Sequence, residues 1–135
     1  RSLINNNYEN SLTLSVKHYD YLCQRIDISN VFNPPCWMII EFDNSTIRKT
    51  CSSVANAVKA HGKIRADKLF LRLAQIKAAN TEDEFKYLPG RFHQLKGSRI
   101  GQWSCSLDGN WRLIFRVELR DDGSYAVIIE VIDYH

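Results

Sequence analysis

Residues 102–117 read QWSCSLDGNWRLIFRV, and the alternation on either side of Asp108-Gly109 decides the fold. Trp103, Cys105 and Leu107 alternate with Gln102, Ser104 and Ser106. Beyond the turn, Trp111, Leu113, Phe115 and Val117 alternate with Arg112, Ile114 and Arg116. Successive side chains of a strand point to opposite faces, so a period of two marks a half-buried strand. Asp-Gly supplies the positive-φ residues that a tight hairpin requires. A second turn at Asp121-Asp122-Gly123 leads into YAVIIEVIDYH, residues 125–135. The C-terminal half is therefore expected to be an antiparallel meander with one apolar face, and that face has to be covered.

The cover is written upstream. From the capping types Asp43-Asn44-Ser45, the apolar residues Ile47, Cys51, Val54 and Val58 fall on one face of a helix that His61-Gly62 ends. A second helix is expected over 65–79, with Leu69, Leu73 and Ile76 on one stripe and Phe70 widening it. Thr81-Glu82-Asp83-Glu84 opens a short third turn that Pro89-Gly90 terminates. Ahead of the helices, MIIEF at 38–42 reads as a strand. The order β-α-α-β-β-β predicts an α+β domain, an antiparallel sheet packed against a helical hairpin.

The whole chain has 135 residues, enough for one ordinary domain with a real core. Hydrophobic residues at 44% and charged ones at 24% place it among globular proteins rather than disordered chains. Residues 1–37 are rich in Asn, end near Pro34-Pro35 and precede Met38, the only methionine. Prolines stop both ladders and helices, so a domain over 38–135 is expected. Residues 1–37 then read as an N-terminal extension or the product of a start site placed too early. There is no apolar run long enough to span a membrane and no basic-then-apolar leader pattern, so the cytosol is the expected location.

Cys23, Cys36, Cys51 and Cys105 are scattered without Cys-x-x-Cys or neighbouring His at zinc-finger spacing, and read as reduced thiols. Nucleotide-phosphate, nucleophile-elbow and His-Glu-x-x-His motifs are absent, and the C-terminal carboxylates do not cluster. No metal or other cofactor is expected.

Net charge is +3, but between Lys86 and Arg116 six basic residues stand against the single acid Asp108. Such an imbalance suits a polyanion, and suits a solvated basic surface as well. Arg91, His93, Lys96 and Arg99 crowd into the Gly-punctuated stretch 89–103. Alternation puts Arg112 and Arg116 together on the open face of the sheet. In the last strand, alternation puts Tyr125, Val127, Ile129, Val131, Asp133 and His135 on one side and Tyr134 on the other. A carboxylate beside an imidazole can orient it and raise its pKa, whereas a bare strand end can equally be frayed. Trp103 and Trp111 turn inward and read as core rather than as platforms for bases.

Two histidines, a tyrosine, a lysine and arginines are parts with which RNA can be cut. The ribose 2′-OH attacks the adjacent phosphorus, which calls for a base, an acid for the departing 5′ oxygen and cations for the phosphorane.

LPGRFHQLKGSRIGQWSCSLDGNWRLIFR, residues 88–116, followed by the terminal VIDYH, resembles the HigB toxins, a branch of the RelE/ParE superfamily of toxin–antitoxin systems. The elements LPG, FHQLKG, GQWS, GNWR and DYH occur in that order, and the resemblance covers 38–135. The loop LPGRFH is one residue shorter than the usual pattern, with Gln94 where Pro is common and Ser98 where Asp is common. The resemblance implies a RelE/ParE-like fold and a metal-independent, ribosome-dependent endoribonuclease that enters the ribosomal A site and cuts translated mRNA. It implies a cognate helix-turn-helix antitoxin of the HigA type, through which alone the toxin reaches operator DNA. By the same resemblance, His93, Asp133, Tyr134 and His135 form the catalytic set, and Lys96 and Arg112 are the basic partners. Arg91, Arg99 and Arg116 add to the candidate phosphate contacts. Rival readings of the same fold are a ParE-like gyrase inhibitor that cuts no RNA and a degenerate, inactive toxin.

Overall fold

The computed structural model describes residues 38–134; the segment 1–37 and His135 lie outside the described residues. β1 (Ile39–Phe42) leads into α1 (Ser45–Cys51), α2 (Val54–His61) and α3 (Lys63–Ala78). A 3-10 turn at Glu82–Tyr87 precedes the short β2 (His93–Gln94). A second 3-10 turn, Gly97–Arg99, is followed by β3 (Gln102–Ser106), β4 (Trp111–Arg120) and β5 (Gly123–Asp133).

The strands form one sheet in the order β1-β5-β4-β3-β2. The meander β3-β4-β5 is antiparallel as its turns dictate, and β2 adds to its edge antiparallel to β3. β1 departs from the all-antiparallel expectation by pairing parallel with β5, Ile39 opposite Tyr125 and Phe42 opposite Ile128. The helices between the first and last strands form a crossover long enough for parallel pairing.

The single helix expected from Ser45 to His61 is two. The four-three-four spacing of Ile47, Cys51, Val54 and Val58 continues through the break, but Ser52 and Ser53 bond the backbone instead of extending the ladder. Ser52 Oγ donates to the Lys49 carbonyl at 2.7 Å, and Ser53 Oγ accepts from Asn56 N at 3.1 Å, capping α2. Asn44 caps α1 in the same way, its Oδ1 accepting from Ile47 N at 3.0 Å. In the turn at Glu82, Glu84 reaches back to accept from Asn80 N at 3.1 Å, whereas Thr81 makes no side-chain cap.

The helices cover one face of the sheet. Trp103, Cys105, Leu113, Phe115, Ala126 and Ile128 are buried there against Ala66, Leu69 and Ile76 of α3. Phe85 is the hub of this layer, with ring centroids 5.2 Å from Trp103, 5.3 Å from Phe115 and 5.6 Å from Phe92. Edge-to-face and offset ring pairs add about 0.5–1.5 kcal/mol beyond their area. Trp103 is core, as its alternation requires, and its indole N–H is satisfied by Glu82 Oε2 at 2.6 Å. Trp111, at the rim, is half-buried beneath the Arg65 guanidinium, which lies 4.1 Å from the ring centroid.

One irregularity redistributes the last strand. Ile114 pairs with Glu130, but Phe115 pairs with Ile128, so β5 carries an extra residue, Ile129, at that point. An added residue inverts every later side chain. Tyr125 and Val127 lie on the open face opposite Glu118 and Arg116, whereas Val131 and Asp133 lie on the helix face opposite Leu113 and Trp111. The unbroken alternation expected from Tyr125 to Asp133 therefore fails at a bulge that apolar patterning cannot reveal.

Candidate active site

On the open face, β2, β3, β4 and β5 bring one row together: His93 is opposite Ser104, Ser104 opposite Ile114 and Ile114 opposite Glu130. One step along the strands, Ser106 is opposite Arg112, and Arg112 opposite Ile132. Two strand spacings, about 10 Å, separate the His93 edge from β4; in the His93 row Ser104 and Ile114 are both fully buried, and only the Ser106–Arg112 row is partly exposed. Ser104 is fully buried, and its hydroxyl has no hydrogen-bond partner among the described residues.

His93 is exposed and held from behind. Phe92 before it is buried against Phe85 and Phe115, and the His93 Nδ1 lies 3.0 Å from the Arg91 carbonyl oxygen. A carbonyl only accepts, so Nδ1 carries the proton. In the neutral ring the lone pair is then on Nε2, where it can take a proton from a substrate hydroxyl. Arg91 itself sits at φ 56, a left-handed conformation that costs a non-glycine residue about 1–2 kcal/mol.

The basic residues divide into two groups. Arg99 spans from Gln102 on β3 (2.9 Å) to Glu130 on β5, crossing β4. Arg116 binds Glu118 at 2.9 Å and Asp43 at 3.3 Å; Arg120 binds Glu41 at 2.7 Å and Glu118 at 2.6 Å. Hydrogen bonding from Arg120 holds both Glu118 and Glu41 below the usual carboxylate range. The other group is free of carboxylates: among the described residues, Arg91, Lys96 and Arg112 make no ion pair. Arg112 donates instead to the Gly109 and Trp111 carbonyls at 2.9 and 3.0 Å. Of the six basic residues between Lys86 and Arg116, Lys86, Arg99 and Arg116 are thus paired, with Asp83, Glu130, and Asp43 and Glu118, and Arg91, Lys96 and Arg112 keep the unpaired excess.

Asp133 and Tyr134 take opposite sides of the strand end, as alternation suggested, but Asp133 no longer shares a side with Tyr125 and Val127. Asp133 is exposed on the side of Trp111, away from Arg112, because of the bulge at Ile129. Tyr134, whose N–H donates to Asn110 O at 2.9 Å, alternates to the Arg112 side and is 38% exposed. His135 lies outside the described residues.

Arg72 is the residue that the sequence reading overlooked. It is the buried charged side chain among the described residues, on α3, where its position within an apolar stripe gave no sign of a polar role. Its Nε donates to Ser106 O at 2.7 Å, and it packs against Gly90 beneath the loop that carries His93. Among the described residues, no three His, Cys, Asp or Glu side chains assemble into a metal-binding group, and no helix is long and apolar enough to cross a membrane.

Residues 41–135 match the model of a family described as the RelE-like toxin HigB of type II toxin–antitoxin systems. A curated relative, the Endoribonuclease HigB of Proteus vulgaris, is 35% identical over 69 residues, covering 51% of this chain and 71% of that protein. Among solved structures, a YoeB/ParE toxin from Agrobacterium tumefaciens superposes with a TM-score of 0.49 at 19% identity, over 73% of this chain and all of the other. The YoeB dimer from Staphylococcus aureus gives a TM-score of 0.49 at 18% identity, over 73% of this chain and 97% of the other. The family match spans β2 to β5, the end of β1, the helical layer and the loop that carries His93, and on it the chain belongs to the HigB-like family, the RelE-like toxins of type II toxin–antitoxin systems.

Proposed function

We propose that this toxin is an endoribonuclease that cuts translated mRNA in the ribosomal A site without a metal. The observation that carries the reading is His93, whose Nδ1 is engaged by the Arg91 carbonyl and whose Nε2 is left to the open face that also carries Arg112.

In this reading a 2′-OH on the open face loses its proton as its oxygen attacks the adjacent phosphorus. The P–O5′ bond breaks, a 2′,3′-cyclic phosphate forms and the 5′ oxygen leaves protonated. Of His93 and His135, one takes the 2′-OH proton as base and the other, protonated, gives a proton to the departing 5′ oxygen, with either able to act as base. Lys96 and Arg112, with Arg91 at the rim, face the equatorial oxygens, because they hold no carboxylate that would have to be displaced. Tyr134, on the Arg112 side, positions the substrate; Asp133, which faces the Trp111 side, does not meet the substrate and enters the reading only as the carboxylate that orients His135. Arg99 and Arg116 reach phosphate only by leaving Glu130, or Asp43 and Glu118, and the proposal gives them a framework role.

Residues 38–135 are the toxin domain and 1–37 an extension of it. The site of action is the cytoplasm, where mRNA is translated. The neutralising partner is an antitoxin with a helix-turn-helix domain, and operator DNA is met only through it. Production in growing cells tests the activity: wild type should arrest growth and fragment mRNA, and a His93→Ala, His135→Ala double variant should do neither. Equal integrity of mRNA in both cultures would contradict the proposal.

A further inference from the structure

An arginine placed inside a helical layer without a carboxylate is costly, so what it holds in exchange is informative. Arg72 is 7% exposed, and burial pushes its guanidinium below the ordinary arginine range. Its bonds run to the end of β3, to its own helix and to the loop before His93. Nε donates to Ser106 O at 2.7 Å, Nη1 donates to Gln75 Oε1 at 2.9 Å, and Nη1 approaches Pro89 O at 3.5 Å. Gln75 Nε2 donates to the same Pro89 carbonyl at 3.2 Å, and Ser106 N donates to Gly90 O at 2.8 Å. Gly90, at φ +117, leaves room for the guanidinium: a Cβ there would lie 2.7 Å from the Arg72 Cζ.

The chain from this knot to His93 is short and continuous. Fixing Pro89 and Gly90 sets the entry into Arg91, which is held in the left-handed region. Such a conformation persists only where surrounding contacts over-determine it. The carbonyl that Arg91 thereby presents is the one that takes His93 Nδ1. The other end of the fork grips Ser106, the cross-strand neighbour of Arg112.

We propose that Arg72 is the positioning residue of the site. From within the helical layer, and touching no substrate, it locks the Pro89–Gly90–Arg91 turn to the end of β3 and so sets the tautomer and direction of the His93 imidazole relative to Arg112. The proposal rests on the nuclease reading for its effect on cleavage, but its effect on the imidazole can be read without any RNA.

The test uses Arg72→Gln and Arg72→Lys in the full chain, after near-UV circular dichroism and thermal melting show a wild-type fold. Imidazole nitrogen NMR of the free protein should show the Nδ1–H tautomer of His93 in wild type and its loss in both variants, because neither side chain spans two carbonyls. On programmed ribosomes the cleavage rate at saturating toxin should fall about tenfold or more, while the half-saturating concentration stays within about twofold. If either arginine variant fails to fold, Gln75→Ala, which removes the second donor to Pro89 O, replaces it with the same readouts and the same direction. Retention of the Nδ1–H tautomer in the folded variants, or full restoration by lysine, would overturn the proposal. Absence of cleavage by wild type would strike the nuclease reading alone, and the tautomer would still decide the role of Arg72.

Discussion

The carbonyl oxygen of Arg91 stands 3.0 Å from Nδ1 of His93, two residues further on, and decides which imidazole nitrogen faces outward. An asparagine at 93 can meet that carbonyl with its amide but offers nothing at the Nε2 position. His93→Asn should therefore lower cleavage by about 10²–10⁴-fold, the usual worth of a positioned acid or base. Because His93 is exposed, its stability should stay within about 0.5 kcal/mol of wild type in denaturant titration.

Arg99 tests the division between framework and substrate cations. If its guanidinium serves Glu130, then Arg99→Ala, Glu130→Ala and the double variant should destabilise alike, with a coupling of at most about 1 kcal/mol for a partly exposed pair. RNA binding at low salt should change little in any of them, whereas Lys96→Ala and Arg112→Ala should weaken it. Equal losses of binding for Arg99→Ala and Lys96→Ala would assign Arg99 to the phosphates instead.

Much of this was legible in the sequence because period-two alternation and Asp-Gly turns are local signals. The meander, the inward Trp103 and the outward Arg112 follow from residues 102–117 alone. What was not legible depends on partners distant in the chain. β1 pairs parallel with β5 only because the helical crossover returns the chain there. The bulge at Ile129 sits in an apolar run where either register buries similar side chains, so the side expected to be shared by Tyr125 and Asp133 is not shared. Arg116 looked available until folding brought Asp43 to it from the start of the helical layer. Arg72 drew no notice, since nothing near it in sequence tells of Ser106 or Pro89.

Acid should destabilise the domain in two stages. Burial, with Arg65 adding to it, holds His61 below its ordinary value of 6.5. A group with a lowered folded pKa contributes stability above its unfolded pKa and loses it as pH falls through the folded one. The first loss should begin below about pH 6.5 and vanish in His61→Gln. Glu41 and Glu118, also lowered, should give the second loss below about pH 4.5, reduced in Arg120→Gln. Melting temperature against pH for the three proteins reads both stages.

Phe85 joins the turn after α3 to the sheet through three rings. Phe85→Ala should cost about 3–5 kcal/mol, a large share of the 5–15 kcal/mol typical of a small domain. Phe85→Leu should cost roughly half of that or less, as retained volume limits the cavity. Urea midpoints at unchanged slope would measure both.

The central claim is that the open face around His93, Lys96 and Arg112 performs 2′-OH attack on ribosome-bound mRNA. Purified protein added to ribosomes programmed with a short message, followed by analysis of the new ends, addresses it most directly. The account predicts cleavage only in the presence of ribosomes, upstream fragments ending in a 2′,3′-cyclic phosphate, downstream fragments beginning with a 5′-hydroxyl, and no product with His93→Ala. Intact message, or fragments with 3′-hydroxyl and 5′-phosphate ends, would contradict it.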